Sequence, residues 1–302
     1  MVGGNLEDRL LPTVDGAEQR LRALGLVTPV EPLTWQPRLR AIRDVSRALV
    51  YLHASSNGKP VVLHRDVKPA NMLLDGQLNC KLADVGLARA SAALSPGGGQ
   101  THLTTRNLLG TPGFIDPFYT ETGQYSQLTD AYAIGISLLV CLSGRPAVDG
   151  NGVSVLDAWA DALEAPSAAT LSPLLDQTAG WPADVALTLL NVVIGLSWVR
   201  TRSRRMTLDE ALRQLEAAAD GSGVRPGLSV VIEERECVIC LSEPRDTRFG
   251  CGHCVSCATC ASLLQAQGGR AGVCPVCRVP IRRIADRGSH LANAPTFVEQ
   301  RI

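Results

Sequence analysis

Apolar residues return every three or four positions at Leu39, Ile42, Val45, Leu49 and Leu52, which predicts an amphipathic helix with one buried face. Two denser runs, 131–142 and 185–199, are apolar on most sides and read as helices inside a core. Both are too short, and too interrupted by Gly or polar residues, to span a bilayer. Thr207 followed by Glu210 forms a capping box that opens a further helix, with Leu208, Ala211, Leu212 and Leu215 facing inward. The prolines of TPVEPLTWQP, residues 28–37, hold that stretch out of helix. Residues 92–100 are small and Gly-rich and read as a mobile loop, and no internal repeat is present.

The periodic region ends at AADGSGVRPG, residues 218–227, whose Gly and Pro content marks a linker. Three blocks result: a globular part over 1–218, a linker over 219–233 leading to a cysteine-rich block over 234–282, and a polar tail over 283–302. A length of 302 residues suits two domains. The 29 basic and 29 acidic residues cancel, so charge points neither to nucleic acid nor to a membrane surface. The N-terminus, MVGGNLEDRL, shows no basic region followed by an apolar stretch, hence no readable signal peptide. The cytosol or nucleus is the expected compartment.

The cysteine block carries the most specific chemistry. Cys237 and Cys240, Cys251 and His253, Cys257 and Cys260, and Cys274 and Cys277 stand as C-x2-C, x10, C-x-H, x3, C-x2-C, x13, C-x2-C. Each C-x2-C turn brings two thiolates to one tetrahedral ion, and zinc takes four sulfur or nitrogen ligands, so eight ligands make two zinc sites. Disulfides would require an oxidising compartment, which nothing else in the chain suggests. Scattered buried cysteines would not fall into three C-x2-C pairs and a C-x-H. Cys80, Cys141 and Cys254 lie outside the pattern.

Residues 64–71 read HRDVKPAN, and Asp84-Val85-Gly86 begins thirteen residues after Asn71. This resembles the catalytic loop and metal-binding triplet of eukaryotic protein kinases. The resemblance implies Asp66 as the base that orients the substrate hydroxyl, Lys68 as the phosphate contact, and Asn71 and Asp84 as magnesium ligands. His64 and Arg65 would be structural, with Arg65 available to a phosphorylated activation loop. Thr101, Thr104 and Thr105 are candidate phosphosites in that loop. The match extends over most of 1–218. GTPGFIDP at 110–117 is similar to the end of the activation segment in plant receptor-like kinases, and Asp130 to Gly135 to the opening of their buried central helix. Asp130 would there hydrogen-bond the catalytic-loop backbone. NLEDRL and LTWQPRLRAI look like the region just after the interlobe hinge. His53, His102 and His290 show no partner pattern and read as ordinary structural or surface residues.

Three departures accompany this resemblance. The small ATP-binding lobe, with its Gly-rich loop and strand Lys, finds no counterpart before His64. The expected fold is therefore α+β, a mainly helical kinase large lobe followed by a small two-zinc cross-braced domain. Two origins stay open, a piece of a longer kinase or a lone large lobe used as a scaffold, and in either case phosphate transfer by this chain alone should be poor. Mg-ATP is a cofactor only if that part is competent; otherwise Asp66, Lys68, Asn71 and Asp84 are inherited geometry without turnover. Phe118 stands where the family has a Glu that pairs with a distal Arg, here Arg202, Arg204 or Arg205, so the pair should be lost. Val85 replaces the Phe of the metal-binding triplet.

The cysteine block in turn resembles a RING domain, with the C-G-H-x3-C-x2-C and Cys-Pro-x-Cys-Arg forms of many ubiquitin ligases. The resemblance implies interleaved sites: Cys237, Cys240, Cys257 and Cys260 on one zinc, and Cys251, His253, Cys274 and Cys277 on the other. It places contacts to a ubiquitin-conjugating enzyme at Ile239, Pro275 and Leu263 or Leu264, with Arg278 bridging enzyme and ubiquitin. Local packing around zinc is the plainer account of Ile239 and Pro275, and a solvated charge that of Arg278. The expected function is a RING-type ubiquitin ligase whose kinase-like part recruits or regulates a protein target. A Ser/Thr protein kinase and a silent adaptor are the competing classes.

Overall fold

The computed structural model describes residues 1–55, 59–94, 100–198, 204–220, 247–249, 254–266 and 284–285. The chain divides into two units, Met1–Val224 and Arg225–Ile302. The first begins β1 (Gly4–Asn5), α1 (Leu6–Leu10), α2 (Ala17–Ala23), α3 (Trp35–His53), β2 (Val61–Leu63), β3 (Met72–Leu74), β4 (Cys80–Leu82) and β5 (Arg89–Ser91). It continues β6 (Leu103–Thr104), α4 (Pro117–Thr122), β7 (Gln124–Tyr125) and α5 (Gln127–Ser143). Then follow the short helices α6 (Val155–Ala158), α7 (Ala160–Glu164) and α8 (Ala168–Leu171), and the longer α9 (Ala183–Val193) and α10 (Leu208–Ala219).

α5 explains the arrangement around it. From Thr129 to Ser143 every residue is buried, so the helix is covered on all sides. Ser126 and Thr129 cap its start reciprocally, and Gly144 ends it in the left-handed conformation (φ 61°). Ser197 lies so near Gly135 that a Cβ added there would meet its Oγ at 2.9 Å. That approach seats the π-helical turn Ile194–Trp198, the continuation of α9, directly against α5.

α3 buries Leu39, Ile42, Val45 and Leu49, the face its spacing predicted. Residues 28–34 are non-helical, but the helix starts at Trp35, earlier than the prolines suggested. Pro37 falls in the first turn, where an N–H has no helical partner to lose. At the other end the Lys59 ammonium donates to the carbonyls of Tyr51, Leu52 and Ala54 at 2.8, 2.9 and 2.7 Å, satisfying acceptors that the helix leaves open. Arg38 is wholly buried; it donates to Leu33 O, Cys141 O and the Asp176 carboxylate, which fastens the start of α3 to the end of α5. α10 opens on the Thr207–Glu210 capping box and buries Leu208, Ala211, Leu215 and Ala218.

Short antiparallel pairings complete the unit: β1-β3-β4 as a three-stranded sheet, β2 with β5, and β6 with β7. Within the stretch expected as a loop, 92–94 form a 3-10 turn after β5. In the second unit β8 (Thr247–Phe249), β9 (Cys254–Ser256) and β10 (Ile284–Ala285) form an antiparallel sheet in the order β10-β8-β9, and α11 (Ala258–Ala266) follows β9. Among the described residues no helix is long and apolar enough to cross a membrane.

Candidate functional site

β2 runs directly into His64, Arg65 and Asp66, and the turn Pro69–Asn71 leads into β3, so the β2–β3 connection forms the site. Its centre is Asp66, whose side chain is 8% exposed. The Lys68 ammonium stands 2.9 Å from Asp66 Oδ2. The Thr111 hydroxyl donates to Asp66 Oδ1 at 2.7 Å and is itself 2.6 Å from Lys68 Nζ. The Asn71 amide donates to Asp66 O at 2.8 Å and to Oδ2 at 3.1 Å. Burial alone would raise the Asp66 pKa; the hydrogen bonds from Thr111, Lys68 and Asn71 and the Lys68 charge outweigh it, so the carboxylate titrates below its ordinary value. The group is held ionised, as an acceptor for a hydroxyl proton must be.

Beneath this loop the Asp130 carboxylate accepts the amides of His64 and Arg65, each at 2.8 Å, and lies 2.8 Å from His53 Nε2. The first two contacts are those the sequence resemblance implied. His53 is structural, as expected of it, but its largely covered side chain has a partner that its spacing did not suggest. The support matters because Arg65 is left-handed (φ 71°), a conformation that costs about 1–3 kcal/mol and persists only where surroundings fix it. Asp84 is likewise left-handed (φ 62°), and its Oδ1 accepts the Gly86 amide at 3.2 Å. Asp84 is exposed, and it adjoins the site because the preceding Ala83 amide donates to Asn71 O at 2.9 Å.

Among the described residues no three His, Cys, Asp or Glu side chains converge on one metal position. Magnesium does not need such a cage, since it takes one or two protein oxygens together with substrate phosphates and water. The carboxylate of Asp84 and the amide oxygen of Asn71, whose nitrogen is committed to Asp66, supply oxygens of that kind. Arg65 is occupied as well: its guanidinium lies 4.4 Å from the Tyr125 ring and donates to Tyr119 Oη at 3.2 Å.

The lost ion pair expected at Phe118 also needs correction. Arg205 Nη1 and Nη2 reach Asp116 Oδ2 and Oδ1 at 2.6 and 3.1 Å, with side-chain exposures of 6% and 0%. The acidic partner stands two residues before Phe118. Thr111, His53 and Asp116 are the contributors missed by sequence reasoning; they lie far from Asp66, Asp130 and Arg205 in the chain, and only folding shows who meets whom.

In the second unit, Cys257 and Cys260 are both buried, and the Cys260 amide lies 3.5 Å from Cys257 Sγ. Cys257 immediately precedes α11 and Cys260 lies in its first turn, a setting of amide donors that suits anionic sulfur. This pair fits two ligands of a zinc site. Cys237, Cys240, Cys251, His253, Cys274 and Cys277 lie outside the described residues, as do Ile239, Pro275 and Arg278. Leu263 is 61% exposed on α11.

Comparison with known proteins agrees with both parts. The protein kinase domain family matches residues 28–215, and the C3HC4-type zinc finger (RING finger) family matches 233–284. Among similar proteins, the probable serine/threonine-protein kinase PBL11 of Arabidopsis thaliana is 43% identical over 121 residues, 40% of this chain and 29% of that protein. PBL28 of the same plant, also a probable serine/threonine-protein kinase, is 40% identical over 149 residues, 49% of this chain and 34% of its own length. A probable receptor-like serine/threonine-protein kinase with leucine-rich repeats, again from Arabidopsis thaliana, is 42% identical over 117 residues, 39% of this chain and 12% of that protein. The chain thus spans about a third or less of the length of these relatives.

Proposed function

The chain belongs to the protein kinase family and carries a C3HC4-type RING finger, and on that premise we propose that it is a RING-type ubiquitin ligase whose kinase unit engages the protein target. The observation that carries the ligase reading is the RING match over 233–284, which spans all eight zinc-type ligands together with Arg278. A RING forms no covalent bond with ubiquitin. It holds a ubiquitin-loaded conjugating enzyme so that the thioester is presented in a reactive pose, which is catalysis by orientation. In this reading Cys237, Cys240, Cys257 and Cys260 hold one zinc and Cys251, His253, Cys274 and Cys277 the other. Ile239, Leu263 and Pro275 form the docking face, and the planar fork of Arg278 bridges conjugating enzyme and ubiquitin. Thiolates kept reduced for zinc would suit a reducing compartment, the cytosol in this reading.

Target engagement falls to the Asp66 site. A hydroxyl-bearing segment of a protein substrate would present its Ser or Thr to the Asp66 carboxylate, beside Lys68 and Thr111. In this reading the first unit is a kinase large lobe. Reconstituted ubiquitin ligation with a panel of conjugating enzymes tests the ligase reading. Protein-linked ubiquitin that requires intact Cys274 supports it; zinc-loaded protein that yields none with any conjugating enzyme would leave the RING as an adaptor.

A second reading, phosphoryl transfer, is favoured by the ionised Asp66 with Lys68 and Thr111 already in contact. Magnesium held through Asn71 and Asp84 would neutralise phosphate charge, and the chain's own residues would orient the hydroxyl and take its proton. Transfer of labelled phosphate from ATP to a protein acceptor, abolished by Asp66→Asn, is the test; label transfer unchanged by that substitution would refute it.

A further inference from the structure

We propose that Met206 is a modification site for hydrogen peroxide, which adds one oxygen to its thioether on the side facing Gln214. The residue has no part in the ligase or phosphotransfer readings above.

The chain has three methionines, and their settings differ. Met72 is wholly buried in β3, whereas Met206 is half-buried and stands just before α10. One side of Met206 is closed. Its amide donates to Gly195 O at 2.8 Å, and a Cβ added at Gly195 would meet its Cε at 2.7 Å and its Sδ at 3.3 Å. The thioether therefore lies against the backbone of the π-helical turn, with no room there for an added oxygen.

The other side is open. Met206 helps line a cleft of about 440 Å3, together with Arg204, Arg213 and Gln214. Those polar groups keep the cleft wet, and its volume is many times the roughly 30 Å3 that one water takes up. Hydrogen peroxide, little larger than water, can reach the sulfur from this side. The Gln214 amide points at Met206 Sδ from 3.9 Å, a long contact to a weak acceptor. An oxygen placed between the two would come within ordinary hydrogen-bond distance of that amide. The site thus holds a donor that the thioether scarcely uses and a sulfoxide would accept.

The step needs only peroxide. A sulfur lone pair attacks one peroxide oxygen, and a sulfur–oxygen bond forms as the oxygen–oxygen bond breaks. Sulfur gives up two electrons, and the other oxygen leaves as water with both hydrogens. The product is polar and chiral, and reductases return it to the thioether. With one face closed, a single sulfoxide epimer should form.

The test treats the folded full chain with hydrogen peroxide and follows each methionine by mass after digestion. Met206 should gain one oxygen roughly tenfold or more faster than Met72, whose sulfur is exposed only when the core opens. The digest is then treated separately with the two methionine sulfoxide reductases, each specific to one epimer. One of them alone should restore Met206 oxidised in the folded chain. On peptide oxidised after digestion, each should restore a comparable share. Gln214→Leu covers the open face with hydrocarbon and removes the donor. It should slow Met206 oxidation about three- to tenfold, the range of one hydrogen bond to the reacting group, and leave Met72 unchanged. Met206 oxidising as slowly as Met72, comparable amounts of both epimers from the folded chain, or a Gln214→Leu rate no slower than wild type would each overturn the proposal.

Discussion

The His53 imidazole and the Asp130 carboxylate meet at 2.8 Å from positions 77 residues apart, joining the end of α3 to the start of α5. The same carboxylate holds the amides of His64 and Arg65, so one buried acid supports the loop that presents Asp66.

Asp130→Asn should therefore lower stability by about 1.5–3 kcal/mol, the scale of hydrogen bonds to a buried charged group. Denaturant midpoints of wild type and variant measure it. A loss within experimental error would show that the carboxylate is not the support described.

Acid should expose the same group. Burial alone would raise the Asp130 pKa, but the His53 hydrogen bond and charge and the two loop amides hold it below the ordinary 3.8. A depressed carboxylate contributes stability in full above its unfolded value, and loses it as pH falls through the folded value. Unfolding free energy of the wild type should thus decline below 3.8, and in Asp130→Asn that decline should be shallower. Parallel acid profiles would contradict the assignment.

Gly135 admits Ser197 where a Cβ would meet its Oγ at 2.9 Å and its Cβ at 3.1 Å. Gly135→Val should cost about 1–3 kcal/mol through overpacking between α5 and the π-helical turn. Thermal melting reports it, and an unshifted transition would mean that the turn yields without strain.

Zinc should be lost in a ligand-specific way. Cys260→Ser removes one of the two buried thiols seen at the start of α11. Elemental analysis should find two zinc ions in wild type, four ligands to each, and fewer in the variant. Equal zinc in both would remove Cys260 from the ligand set.

What the sequence revealed follows the range of the forces involved. α3 and α10 were legible because amphipathic spacing and a capping box are local patterns, and their buried faces follow that spacing except at Leu52 and Leu212, which are half-buried. The HRDVKPAN stretch was legible because Asp66, Lys68 and Asn71 are near neighbours. His53, Thr111 and the Asp116–Arg205 pair were not, since each depends on contacts 43 to 89 residues apart that no periodicity encodes. Phe118 shows the limit most plainly: the acid absent at that position is replaced in the fold by one two residues earlier, which receives Arg205.

The most direct test of the ligase account is single-turnover discharge of ubiquitin from a loaded conjugating enzyme, comparing the full chain with Arg278→Ala, Cys274→Ser and Asp66→Asn. The account predicts rapid discharge by wild type and by Asp66→Asn, and discharge at the background rate with Arg278→Ala and Cys274→Ser. Discharge that is indifferent to Arg278 and Cys274, or absent from the zinc-loaded wild type, would contradict it.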